Sequence, residues 1–283
     1  MTLDMTRDTT QAGSPADTVI ASERHIDVWL THYDEIADPH LHVEYRALLT
    51  EEERRKELRF YFPDDQRRYL VTRAMVRTVL SRYLDVAPTD WRFAVNRYGR
   101  PEIANFKPGE CSLRFNISHT RGLIALGVTQ FRELGVDVEN VRAREVSLGI
   151  ADRFFAKAEV AELATVPPAR QQDRFFEYWT FKESYIKARG MGLSIPLGQF
   201  SFHYPHERAV QLSVQPQLGD DAARWSFWQY RPTANHLLAV CAERRPESTP
   251  QLTLRSIVPL VGEQVLQPQL LKTSEFSPHD SAR

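Results

Sequence analysis

Residues 179–187, Trp179-Thr-Phe-Lys182-Glu183-Ser-Tyr-Ile-Lys187, together with the upstream Gly135-Val-Asp137-Val-Glu139, decide how this chain is organised. The upstream segment alternates as a strand does, so Asp137 and Glu139 share one face and Val136 and Val138 the other. Two steps of ~3.3 Å set the carboxylates roughly 6–7 Å apart. Carboxylates that close raise each other's pKa, and a cation between them relieves the cost. Mg²⁺ commonly takes one or two protein carboxylates and completes its shell with water and phosphate oxygens. A solvated strand face is the plain alternative.

The downstream segment reads as a helix. Trp179, Glu183 and Lys187 recur at four-residue spacing and point the same way, with Lys182 at the edge. The plain readings are a packed Trp179 and a Glu183–Lys187 surface pair. Jointly, three carboxylates and two lysines can hold a divalent cation against a pyrophosphate while a proton is removed, which points to phosphoryl-type transfer.

The chain has 283 residues, 42% apolar and 26% charged, in the range of an ordinary globular protein of one large or two modest domains. A formal net charge of −1 argues against general nucleic-acid or membrane binding. Cys111 and Cys241 lack metal-type spacing and read as reduced thiols. The polar N-terminus lacks the apolar centre of a signal peptide, and the longest apolar runs are too short to span a bilayer, so a cytoplasmic protein is expected.

Along the chain, residues 1–20 read as a disordered tail. A first α+β half, 21–130, holds a strand at His25–Leu30 and a charged helix from Leu48 that opens on a Thr50–Glu53 capping box. Pro63-Asp-Asp breaks that pattern, and a helix over Gln66–Leu84 presents Arg67, Arg68, Arg73 and Arg77 as a charged, solvated face. Strands follow at Trp91–Val95, Arg114–Ser118 and Leu123–Val128. A second half, 131–245, holds the Gly135–Glu139 strand, a helix near Ala151–Leu163, a long helix over Asp173–Arg189 stopped at Gly190, and an antiparallel strand series. The two halves share a layout, which suggests a duplicated α+β unit. Residues 246–283 turn to Pro, Gln and Ser and read as an appended tail.

In order, Arg59-Phe-Tyr with the Arg67–Leu84 helix, Tyr98-Gly-Arg100-Pro101, Phe115-Asn-Ile-Ser118-His119 and the two opening segments resemble the 4′-phosphopantetheinyl transferases. The likeness is to the broad-specificity monomeric type serving peptide, polyketide and fatty-acid synthases, and it covers roughly residues 45–242. It implies a pseudo-two-fold α+β fold with an active-site cleft between the halves. It also implies Mg²⁺ at Asp137, Glu139 and Glu183, with Glu183 or a metal-bound water as base and Asp137 and Lys187 in the catalytic set. Coenzyme A, as co-substrate, would meet Lys56, Arg68, Arg100, Ser118, His119, Lys182 and Lys187. The partner would be an apo acyl, peptidyl or polyketide carrier protein, docked in part on Arg142, Arg144, Phe154 and Phe155 unless those phenylalanines are core. One departure is Glu53, where some relatives carry a lysine. A metal-dependent phosphodiesterase and an inactive coenzyme A- or carrier-binding scaffold are the competing readings.

Overall fold

The computed structural model describes residues 24–107, 109–146, 148–245 and 250–276. The expected disordered tail at 1–20 lies outside them. The first half runs β1 (His25–Thr31), α1 (Pro39–Leu48), α2 (Glu51–Glu57), α3 (Pro63–Leu80), a hairpin of β2 (Phe93–Val95) and β3 (Pro101–Ile103), then β4 (Leu113–Thr120) and β5 (Leu123–Gln130). The second runs β6 (Leu134–Asn140), α4 (Leu148–Phe154), α5 (Lys157–Thr165), α6 (Pro168–Arg189), β7 (Phe200–His203), β8 (Gln211–Val214), β9 (Trp225–Thr233) and β10 (His236–Glu243). Three more strands follow: β11 (Gln251–Val258), β12 (Gly262–Leu266) and β13 (Gln269–Thr273).

Local chemistry sets the helix ends. Thr50 accepts from the Glu53 amide while the Glu53 carboxylate accepts from the Thr50 amide, closing the expected capping box. The charged helix α2 and the next helix are separate, as expected, and Pro63 stands at the start of α3, where the first helical position needs no N–H. Gly190 ends α6 at φ 65°, a left-handed conformation that costs glycine little.

The result is an α+β protein with two main sheets, in strand orders β12-β11-β1-β5-β4 and β13-β9-β10-β6. The sheets pack face to face, and each carries helices on its outer side. Ile26, Val28, Leu123, Ala125, Val136, Val138, Leu238 and Val240 fill the layer between the sheets. The alternate residues of the same strands face outward: Trp29, Ile124 and Leu126 toward α1 and α3, Leu237, Ala239 and Cys241 toward α6. Strands buried on both faces explain why β5 and β10 are nearly continuous apolar runs.

Three expectations are corrected. The segment beyond 246 is no appended tail over 251–273: β11 pairs in parallel with β1, and β13 pairs with β9. Leu254 and Ile257 anchor it in two separate core layers. The helix expected near 151–163 is two helices, α4 and α5. Arg73 and Arg77 are not a solvated face. Arg77 is buried, and its guanidinium donates to Glu53, Pro88 O and Trp91 O. Arg73 pairs with the other Glu53 oxygen and lies over the Phe93 ring. Burial alone would raise the Glu53 pKa, but Arg73, the Thr50 amide and Arg77 hold it below its usual value.

Gly135 sits where β6 crosses under α6. A β-carbon there would lie 1.9 Å from the Ser184 carbonyl oxygen and 2.4 Å from the Ala188 amide, both backbone. Gly135→Ala is therefore expected to cost about 3 kcal/mol in denaturant unfolding. Gly198→Ala, with nothing within 4 Å of its β-carbon, is the matched control and should stay near wild type. Equal stabilities would mean that β6 and α6 can move apart freely.

Candidate active site

β4 and β6 are edge strands of different sheets, yet they lie side by side. Main-chain bonds do not join them; side chains of β4 do. Asn116 Oδ1 accepts from the Val136 amide, Ser118 Oγ from Val138 and Thr120 Oγ1 from Asn140, at 2.9, 3.2 and 3.1 Å. The seam is thus held by every second residue of β4. The same register brings Ser118 against Asp137, whose Oδ1 accepts from the Ser118 hydroxyl at 2.9 Å.

The third element is α6, packed on the β6 face that carries Gly135, Asp137 and Glu139. Lys187 Nζ donates to Asp137 Oδ1 at 2.6 Å and to Ser118 Oγ at 2.9 Å. Asp137 Oδ2 is buried with no hydrogen-bond partner. The plain alternative, a Glu183–Lys187 surface pair, gives way to this triad, since the ammonium turns to the strand. Glu139 Oε1 accepts from the Trp179 indole at 3.0 Å.

The electrostatics follow from placing acids together in a half-buried site. Burial and then the Asp137 charge push the Glu139 carboxyl up to about 7, against the relief given by Arg144, Trp179 and Lys187. Burial and then Asp137 push Glu183 up to about 7 as well, with Glu139 adding and Lys187 opposing. The three carboxylates therefore sense one another. As they stand, no three His, Cys, Asp or Glu side chains among the described residues are gathered tightly enough to hold one ion. The unpartnered Asp137 oxygen and the mutual repulsion nonetheless match an all-oxygen donor set for a hard cation.

The remaining predicted residues divide. His119 is exposed on β4. Crowding around its ring, then the charges of Arg68 and Lys187, hold its pKa below the ordinary histidine value. Arg68 donates to Asp65 at 2.6 Å near the start of α3. Lys56 lies 5.6 Å from the Tyr69 ring centre, on the α2–α3 side. Lys182 is a correction. It is buried in the second-half core, where Nζ donates to Glu159 at 2.9 Å, Leu197 O at 2.9 Å and Phe200 O at 3.0 Å, so all three hydrogens are used. Arg100 pairs with Glu133 at 2.7 Å and donates to Ala188 O through the same Nη1, near the C-terminal end of α6, while its Nε is buried without a partner. Phe155 is core, and Phe154 packs edge-on against Trp179; neither stands out as a docking pair, while Arg142 and Arg144 are exposed. Asn116 and Thr120 escaped the sequence reading, although their alternation with Ser118 on one strand face was there to be seen.

Acids able to take a proton near neutrality, beside a lysine and a hydroxyl, suit group transfer. Family comparison specifies the group. Residues 133–241 match the model of the 4′-phosphopantetheinyl transferase superfamily, and residues 38–130 match that of the 4′-phosphopantetheinyl transferase N-terminal region. The chain is 34% identical over 210 residues to the 4′-phosphopantetheinyl transferase ffp of Bacillus subtilis, covering 74% of this chain and 88% of that one. It is 32% identical over 212 residues to Sfp of Bacillus subtilis strain 168, covering 75% and 89%. To HetI of a Nostoc species it is 32% identical over 194 residues, covering 69% and 78%. The chain belongs to the 4′-phosphopantetheinyl transferase family and is an enzyme of that transferase type. No helix of the described residues is long and apolar enough to cross a membrane.

Glu139 and Glu183 both sit above the value of 4.5 expected for an unfolded chain. Between about pH 4.5 and 7 the folded protein then binds more protons than the unfolded one, so their contribution falls as pH rises through that window. In chelator, the wild-type Tm is expected to decline more across it than that of the double variant Glu139→Gln, Glu183→Gln. Parallel profiles would show that the two carboxyls are not desolvated together.

Proposed function

We propose that this protein moves the 4′-phosphopantetheine arm of coenzyme A to a serine of apo acyl, peptidyl or polyketide carrier proteins, releasing 3′,5′-ADP. The reaction takes place between two α+β halves related by a pseudo-two-fold, in a monomeric cytoplasmic enzyme. The observation that carries the reading is the Ser118–Asp137–Lys187 triad with its unpartnered Asp137 oxygen, set beside two carboxyls raised to about 7.

Asp137, Glu139 and Glu183 would hold Mg²⁺. Bound there, the ion supplies positive charge to the pyrophosphate. Glu183 accepts the proton of the carrier serine. The serine oxygen bonds to the phosphorus bearing pantetheine, and the bond from that phosphorus to the departing 3′,5′-ADP breaks. Lys187 and Ser118 orient the pyrophosphate from the seam, Lys187 adding a cation where charge accumulates. His119, with Arg68 and Lys56, serves the 3′-phosphate end. Lys182 takes no part, because its donors are already committed within the fold.

The direct test is mass spectrometry of an apo carrier protein incubated with this protein, coenzyme A and Mg²⁺. The carrier should gain one phosphopantetheine; an unmodified carrier across acyl, peptidyl and polyketide types would reject the proposal. Glu183→Gln is expected to lower kcat by about 10²- to 10⁴-fold, with a much smaller change in coenzyme A affinity. A kcat within a few-fold of wild type would remove Glu183 from proton transfer. His119→Ala should weaken coenzyme A by roughly 10- to 150-fold, and dephospho-coenzyme A by less. Equal weakening of the two would separate His119 from the 3′-phosphate.

A further inference from the structure

Trp179, in the helical signature, takes no part in the proposed chemistry and yet reaches the candidate site. Its indole lies parallel to Phe175, with ring centres 6.1 Å apart, and meets Phe154 edge-on at 5.6 Å. Those contacts fix the plane of the ring, and within that plane Nε1 donates to Glu139 Oε1 at 3.0 Å. The exposed Arg144 guanidinium approaches the same oxygen at 3.9 Å. The indole donor and the Arg144 charge thus both lie on the Oε1 side, and Oε2 accepts no hydrogen bond among the described residues.

We infer that Trp179 is a positioning residue: by engaging Oε1 it locks the Glu139 carboxylate in one orientation and leaves Oε2 as the single oxygen offered to the cation. The inference rests on the proposed Mg²⁺ site. A fixed one-oxygen ligand suits Mg²⁺, which demands near-octahedral geometry and tolerates the bidentate bite of a freely turning carboxylate poorly. An aromatic wall that is itself braced on two sides makes a more rigid donor than a surface side chain or water. Partners of metal-ligating groups act in this way generally, by orienting the ligand without touching the ion.

The test is calorimetric titration of the protein, saturated with coenzyme A and without carrier, with Mg²⁺. Wild type and Trp179→Phe are compared, the latter removing the N–H and retaining an aromatic ring against Phe175. The Mg²⁺ Kd is expected to rise by about 10- to 100-fold, while the coenzyme A Kd and the Tm, both measured in chelator, stay near wild type. An unchanged Mg²⁺ Kd overturns the inference. If the coenzyme A Kd or Tm falls away as well, replacement of Trp179 by benzothienylalanine decides, because it keeps both rings and deletes only the donor. Weakened Mg²⁺ binding in that isostere supports positioning, and wild-type binding in it overturns it. Wild-type protein that takes up no Mg²⁺ removed by Asp137→Ala would fail the metal reading itself, which is a different result from a site that binds Mg²⁺ and ignores the indole.

Discussion

Everything at the centre of this protein depends on the three hydrogen bonds by which β4 side chains hold the amides of β6. Two edge strands brought together would ordinarily bond backbone to backbone, fusing their sheets into one. Here Asn116, Ser118 and Thr120 stand between them. Their side-chain oxygens satisfy amides that would otherwise be buried without partners, at the two-residue period that β-structure imposes. Because side chains do the joining, the strands stay apart by a side-chain length, and polar atoms from both halves end up in one place. Gly127 contributes from β5: a β-carbon there would come within 2.7 Å of the Val136 side chain, so only glycine lets the two sheets approach this closely.

The same register governs the charges. Asp137 is buried and faces α6, and burying a carboxylate is tolerable only when it is paired. Lys187 and Ser118 pair one oxygen and leave the other bare. A fold selected only for stability would have no reason to keep that bare oxygen beside two further acids whose pKa values burial and the Asp137 charge raise. The unsatisfied group, the repulsion and the half-buried setting point together to a site that stores electrostatic cost until a ligand offsets it.

Much of this was legible in the sequence, for physical reasons that can be named. Strand alternation correctly put Asp137 and Glu139 on one face and the valines on the other, because a pleated strand allows no alternative. Four-residue helical spacing correctly aligned Trp179, Glu183 and Lys187. What escaped notice depends on contacts between distant segments. The parallel pairing of β11 with β1 joins residues more than two hundred positions apart, and the half-buried pattern of Gln251–Val258 is weak beside its Pro- and Ser-containing surroundings. Arg73 and Arg77 read as surface because arginines on helices usually are. Glu53, from a different helix, is what draws them inward and ties α2 to α3. The departure at Glu53 thus has a structural role, and it leaves Lys56, one turn further along α2, resting over Tyr69.

Lys182 and Lys187 show how a motif's letters differ from its chemistry. They are five residues apart on one helix, about 140° around its axis at 3.6 residues per turn. That rotation sends Lys187 to the seam and Lys182 into the core between α5 and β7. Lys182 finds a carboxylate and two carbonyls, and its partner Glu159 also accepts from the Ala156 and Phe202 amides, so the buried pair is complete. Completeness makes it costly to break and useless for binding, since no donor is left to offer. Lys187 has only a serine hydroxyl and one carboxylate oxygen, with part of its side chain still reaching solvent. Counting satisfied donors separates the two lysines where residue type and proximity to the signature acid cannot. Lys182 fixes how α6 is seated, and that seating is what carries Glu183 and Lys187 to face β6.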